Sequence, residues 1–138
     1  MANEAVIIEL LGHHRGRPIT YVVADGTGIA KGTVLKIVAG APGRLAAASA
    51  GDDNFAGIAA FEKVKSDGST TLTAYTHGIF DMVNGAAADL TAGMRCDVNG
   101  INLISKCDAS GAVKSGWIIL LEDTVKNATG SCLIGSGF

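Results

Sequence analysis

Glycine decides most of what this chain can become. Nineteen of its 138 residues are glycine, and with Asn, Asp and Ser they cut the sequence into runs too short to show the apolar stripe of an amphipathic helix. The longest purely apolar stretches, such as Trp117-Ile118-Ile119-Leu120-Leu121, fall far below the roughly 20 residues of a membrane-spanning helix. Between the breaks lie short segments rich in β-branched residues, the composition of strands joined by tight turns. With 5% aromatic residues and two prolines, the interior must be filled by small side chains. The length suits one domain with a single core.

The pattern predicts strands over 5–11, 19–23, 33–38, 55–65, 70–76, 79–83, 94–98, 101–105 and 117–122. The clearest hairpin is 55–65 with 70–76, joined through Ser66-Asp67-Gly68-Ser69; Asn84-Gly85 and Asn99-Gly100 are further turn dipeptides. Only 86–90 and 108–114 have helix-forming composition, each little more than one turn. Residues 39–54 are mostly Ala, Gly, Ser and Asp, with Leu45 the one large apolar residue, and read as a long surface loop. The chain therefore divides into an extended N-terminal arm (1–24), a β domain (25–126) and a Gly/Ser tail (127–138) whose Cys132, Leu133, Ile134 and Phe138 suggest docking on a neighbour. The expected class is all-β: a small β-barrel, β-tulip-like or sandwich domain with that arm and at most one or two short helices.

Three segments, around Gly32, Gly93 and Gly116, each place an apolar residue three before a glycine that opens a strand. Turn geometry accounts for this without a duplication, because glycine tolerates positive φ and close backbone approach.

Charged residues reach only 17%, below the roughly 25% of an average soluble protein, so surface is expected to be hidden against partners. A formal net charge of −2 provides no field to gather phosphates, which disfavours nucleic acid and anionic membranes as partners. Gly26-Thr27-Gly28 with Gly32 lacks the Lys-Ser/Thr and the following helix of a phosphate loop. His13, His14, His77 and the three cysteines have no metal-ligand spacing; Cys96, Cys107 and Cys132 match no disulfide framework and read as small buried hydrophobes. No G-x-S-x-G elbow is present, and Asp52-Asp53 reads as a wet, turn-capping pair. No metal, cofactor or catalytic residue is assigned. The first residues carry no basic region before their apolar run, so synthesis in a cytoplasm is expected.

Two stretches resemble the head-decoration, or capsid cement, proteins of tailed viruses. One is Val23-Ala24-Asp25-Gly26-Thr27-Gly28-Ile29-Ala30-Lys31-Gly32-Thr33-Val34-Leu35-Lys36; the other runs from Ala56-Gly57-Ile58-Ala59-Ala60-Phe61-Glu62-Lys63-Val64 through Asp67-Gly68-Ser69-Thr70-Thr71 to Gly78-Ile79-Phe80-Asp81. The N-terminal Ile8-Glu9-Leu10-Leu11-Gly12, leading to Arg17 and Thr20-Tyr21, is similar too, so the likeness covers residues 8–83. It implies a homotrimeric, non-enzymatic all-β protein on the outer surface of a bacteriophage virion, clamping major capsid proteins of an assembled icosahedral shell. An added strand is one way for an arm to bind. On that reading the capsid or trimer interface comprises Val6, Ile7, Ile8, Leu10, Leu11, His13, His14, Arg15 and Arg17 from the arm and Leu133, Ile134 and Phe138 from the tail. The competing reading is a small β-barrel carrier or binding module, disfavoured because Lys63 and Lys65 lack the neighbouring Met of a modifiable lysine; an enzyme comes third.

Overall fold

A computed structural model describes residues 4–9, 18–49, 55–85, 88–98, 101–106 and 118–135. Among these residues there are eleven strands and no helix: β1 (Val6–Glu9), β2 (Ile19–Val22), β3 (Val34–Ile37), β4 (Ala46–Ala48), β5 (Phe55–Ala59), β6 (Thr71–Tyr75), β7 (His77–Asn84), β8 (Arg95–Val98), β9 (Leu103–Lys106), β10 (Ile118–Leu120) and β11 (Thr129–Gly135). The all-β expectation holds. Of the two expected helical turns, 88–90 is a bend leading into a β-bridge at Leu90, whereas 86–87 and 108–114 lie outside the described residues.

Strands β2 to β6 form one sheet in the order β2-β6-β5-β3-β4. It closes on itself through a parallel contact of Val22 with Leu45, where the Val22 N–H donates to the Arg44 carbonyl at 3.1 Å. Strands β7 to β11 repeat this plan in the order β7-β11-β10-β8-β9, closed by parallel pairing of Val83 with Leu103 and Asn84 with Ile104. The molecule is two five-stranded barrels in tandem, with only Thr76 between β6 and β7.

The two barrels match bond for bond. Ile29 exchanges backbone hydrogen bonds with Lys63, and 61 residues later Leu90 does so with Thr124. The Gly32 N–H donates to the Ala59 carbonyl as Gly93 does to Leu120; Ala59 donates to Thr33 as Leu120 does to Met94; Thr33 donates to Ala30 as Met94 does to Thr91. The strand ladders follow: Ile19 opposite Ala74 answers to Phe80 opposite Cys132, and Ala59 opposite Ala74 to Leu120 opposite Cys132. Two of the three glycine echoes in the sequence thus occupy one place in a repeated fold, more than shared turn geometry requires; the third, at Gly116, lies outside the described residues.

Narrow barrels explain the small residues. The first encloses Tyr21, Val23, Ile29, Leu35 and Leu72 with Ala46, Ala56, Ala59 and Ala74. A five-stranded ring leaves little lumen, so alanine is the size that fits opposite each larger neighbour. The second holds Phe80, Met82, Leu90, Val98, Ile104, Ile118, Leu120 and Ile134 around Cys96 and Cys132. In β7 and β11 alternate residues point inward, the period of a strand with one buried face. The Tyr21 hydroxyl is buried but donates to the Ala56 carbonyl at 2.8 Å, which removes the penalty of an unpaired polar group.

Three sequence expectations are revised. The 39–54 loop contains β4, whose three alanines complete the first ring and whose Ala46 is 2% exposed; a strand built of alanine has no apolar contrast to betray it, and residues 50–54 lie outside the described residues. The 25–126 β domain holds all of neither barrel: the first also takes β2, from within the expected 1–24 arm, and the second also takes β11. The tail does dock, but on its own chain: β11 lies between β7 and β10.

Candidate interaction surface

β1 stands outside both rings. It pairs antiparallel with the first half of β7, Val6 opposite Asp81 and Ile7 opposite Phe80, while β9 takes the second half of the same edge. Its start reaches the first barrel: the Ala5 N–H donates to the Gly32 carbonyl at 2.7 Å, and Ala5 is buried beside Val34 and Ile58. Gly32 has φ +86, and a Cβ there would meet the Ala5 carbonyl oxygen at 2.5 Å and the Glu4 Cβ at 2.9 Å. The equivalent Gly93, at φ +87, has nothing within 4 Å among the described residues. One glycine is needed for its turn alone; the other is also the floor of a strand seat. A groove lined by Glu4, Ala5, Val6, Ile7, Lys31 and Ala59 runs beside it.

The structure separates the proposed interface residues. Val6 is 57% exposed on β1, and Ile7 packs half-buried against the second core. Ile8 belongs to β1. Leu10, Leu11, His13, His14, Arg15, Arg17 and Phe138 lie outside the described residues. Leu133 is half-buried on the outer face of β11. Ile134 is 0% exposed inside the second barrel, so its side chain serves the core and not a contact surface, because the alternation of β11 points it inward.

Sequence reading missed another surface. The turn after β5 and its counterpart after β10 carry matching residues, Lys63-Val64-Lys65-Ser66 and Thr124-Val125-Lys126-Asn127. Both valines face solvent, Val64 at 55% and Val125 at 59%, flanked by the exposed Phe61 and Leu121. Ser66 and Asn127, at φ 58 and 65, close both turns alike. The shared Val-Lys pair, 61 residues apart, is the sequence signal that could have found them.

Lys63 anchors the first of these turns. Its side chain is 1% exposed, and its ammonium donates to Asp67 Oδ1 at 2.7 Å, Asp25 Oδ1 at 2.9 Å and the Val64 and Asp25 carbonyls at 2.6 and 3.2 Å. Burial works to lower the Lys63 pKa, but hydrogen bonds to Asp67 and Asp25 and their charges outweigh it and hold it above the ordinary lysine value. The bond from Lys63, and then that from the Ser69 N–H, holds Asp67 below the usual carboxylate range. Two carboxylates and two carbonyls satisfy a buried cation that would otherwise be costly. In the second barrel Thr124 stands in its place, buried at 3%. This cluster braces a turn. Among the described residues no three His, Cys, Asp or Glu side chains gather where they could hold a metal ion.

The barrels meet through a buried hydrogen bond, from the Val34 N–H to Asn102 Oδ1 at 2.8 Å, and through the Tyr75 and Phe80 rings, whose centroids lie 6.3 Å apart. Asn102, at φ 59, is the counterpart of Arg44, at φ 58, which lies exposed at the far end of the first barrel.

No family model matches the sequence, and no curated protein does. Among solved structures, the fold is similar to the head fiber gp8.5 N base of bacteriophage phi29: the match covers 86% of this chain and 93% of that chain, with a TM-score of 0.56 and 13% sequence identity. At that identity the likeness is one of fold.

Proposed function

We propose that this chain is a structural protein of a bacteriophage particle that binds the outside of an assembled icosahedral shell as a homotrimer and stabilises it by clamping neighbouring major capsid proteins. The observation that carries the reading is the fold, which aligns with most of a head-fibre base from a phage particle. The resemblance of residues 8–83 to decoration proteins supports it from the sequence side. Further support comes from the exposed Phe61, Val64, Leu121 and Val125, apolar contact area on a chain of low charge. No catalysis, cofactor, nucleic acid or membrane enters this reading.

Such a protein acts by mass action: it binds the assembled shell and not its dissociated subunits, and so shifts the equilibrium toward assembly. Two barrels per chain and three chains per trimer multiply weak contacts through effective concentration. The test is to mix the purified protein with shells assembled from the cognate major capsid protein. Co-sedimentation, together with a higher temperature of shell rupture, is the expected result; protein left in the supernatant at every concentration refutes the proposal.

A further inference from the structure

β1 is the one described strand that is no part of the repeat, and both rings close without it. Its seat is preformed by groups that do not depend on it. β7 is held by β11 along seven register pairs, from Val83 opposite Thr129 to His77 opposite Gly135, and Gly32 is fixed by its own bond to Ala59 and the Ala30–Thr33 turn. Against this, β1 has one strand neighbour among the described residues, and of its described side chains Val6 is mostly exposed and Ile7 half-buried, with the small Ala5 just before the strand enclosed. Nine residues, 10–18, join it to β2. At roughly 3.3–3.6 Å per residue they can span about 30 Å, the diameter of a small domain.

We infer that β1 is an exchanged strand: in the assembled trimer the seat formed by β7 and Gly32 of each copy is filled by β1 of a neighbouring copy of this chain. The occupant is a second copy because the seat already displays its specificity. The Ala5 backbone lies on a bare glycine, the small Ala5 side chain is enclosed in the core cluster that holds Val34 and Ile58, and the register with β7 is that of residues 6–9; another copy offers the same segment with the same fit. Exchange of an identical element between protomers is a low-cost route to assembly, since no new contact has to be created. The inference rests on the homotrimer reading, and the experiment separates the two.

The experiment uses the full chain with Cys107→Ser, which removes the cysteine outside the described residues; Cys96 and Cys132 are buried. One sample carries Val6→Cys alone and a second, mass-tagged, carries Asp81→Cys alone. These positions lie directly opposite, the geometry in which a cross-strand disulfide forms. The two are co-expressed, oxidised and resolved without reductant, and the sedimentation coefficient is measured in parallel. A disulfide-linked pair of one tagged and one untagged chain is expected, and the double variant in one chain should yield covalent trimers. A preparation that sediments as a trimer but gives no mixed pair, with the double variant closing its bond within one chain, overturns the exchange and leaves the trimer standing. Sedimentation as a monomer overturns both. As a second variant, the chain lacking residues 1–9 should dissociate at a higher protein concentration than the full chain; an unchanged dissociation range overturns the exchange.

Discussion

Replacing Gly32 by alanine and comparing it with the same change at Gly93 isolates the energy of seating β1. The two glycines share a conformation, φ +86 and +87, which costs an L-residue roughly 1–2 kcal/mol. At Gly93 there is no further penalty, because nothing described lies within 4 Å. At Gly32 the new Cβ meets a backbone oxygen at 2.5 Å, which no rotamer can relieve, so β1 must lift. Lifting it exposes the Ala5 methyl and part of Ile7, about 1–2 kcal/mol at roughly 0.8 kcal/mol per buried CH₂. It also breaks the Ala5–Gly32 hydrogen bond, worth about 1 kcal/mol net. Gly32→Ala should therefore destabilise the protein by about 3–5 kcal/mol and Gly93→Ala by about 1–2. Urea unfolding of both variants measures this, with the slope checked for constancy before midpoints are compared. In chains lacking residues 1–9 the two penalties should become equal, closing a double-mutant cycle around the seat. Equal penalties in the full chain would refute the reasoning.

Asn102→Ala leaves the buried Val34 N–H without an acceptor and should cost about 1–3 kcal/mol at the junction between barrels, whereas Arg44→Ala at the exposed counterpart should have a clearly smaller effect in the same urea assay. Because Asp67 is held below the ordinary carboxylate pKa of about 3.9 by Lys63, its stabilisation is present above that value and lost as pH falls through the depressed one. Thermal melts should therefore show an acid-side drop in Tm that is smaller in Asp67→Asn. Lys63, raised above about 10.4, keeps its charge and its contribution through the neutral range and loses it only as pH rises past the raised value. Burial pushes the Cys132 thiol up to about 12, so iodoacetamide at about pH 8 should leave it unmodified in the native protein and label it after denaturation, read by intact mass.

The fold class was legible because turn dipeptides and β-branched runs are local signals. Asn84-Gly85 ends β7 and the alternation of Thr71–Tyr75 survives in β6. Closure was not legible. It depends on Arg44 and Leu45, just before β4, lying beside Val22 of β2, a tertiary fact, and the three alanines of β4 that follow are too small to carry a pattern. The duplication was visible only as spaced glycines, because a narrow barrel selects for volume and not identity: Ala74 and Cys132 fill corresponding places, as do Tyr21 and Met82. The exposed Val64 and Val125 escaped notice because each looks ordinary alone and becomes informative only when the two turns are superimposed. The arm was recognised as a strand-adding element, but the sequence could not say whose sheet it joins.

β1 and β11 flank β7 on opposite sides and run in the same direction. Tension applied between the β1 and the β11 that flank one β7 is therefore carried as shear across three adjacent strands of the second barrel. Ala5 ties the same end to Gly32 of the first barrel, so a pull loads that bond together with the four-residue β1 ladder, and the pair acts as a mechanical fuse.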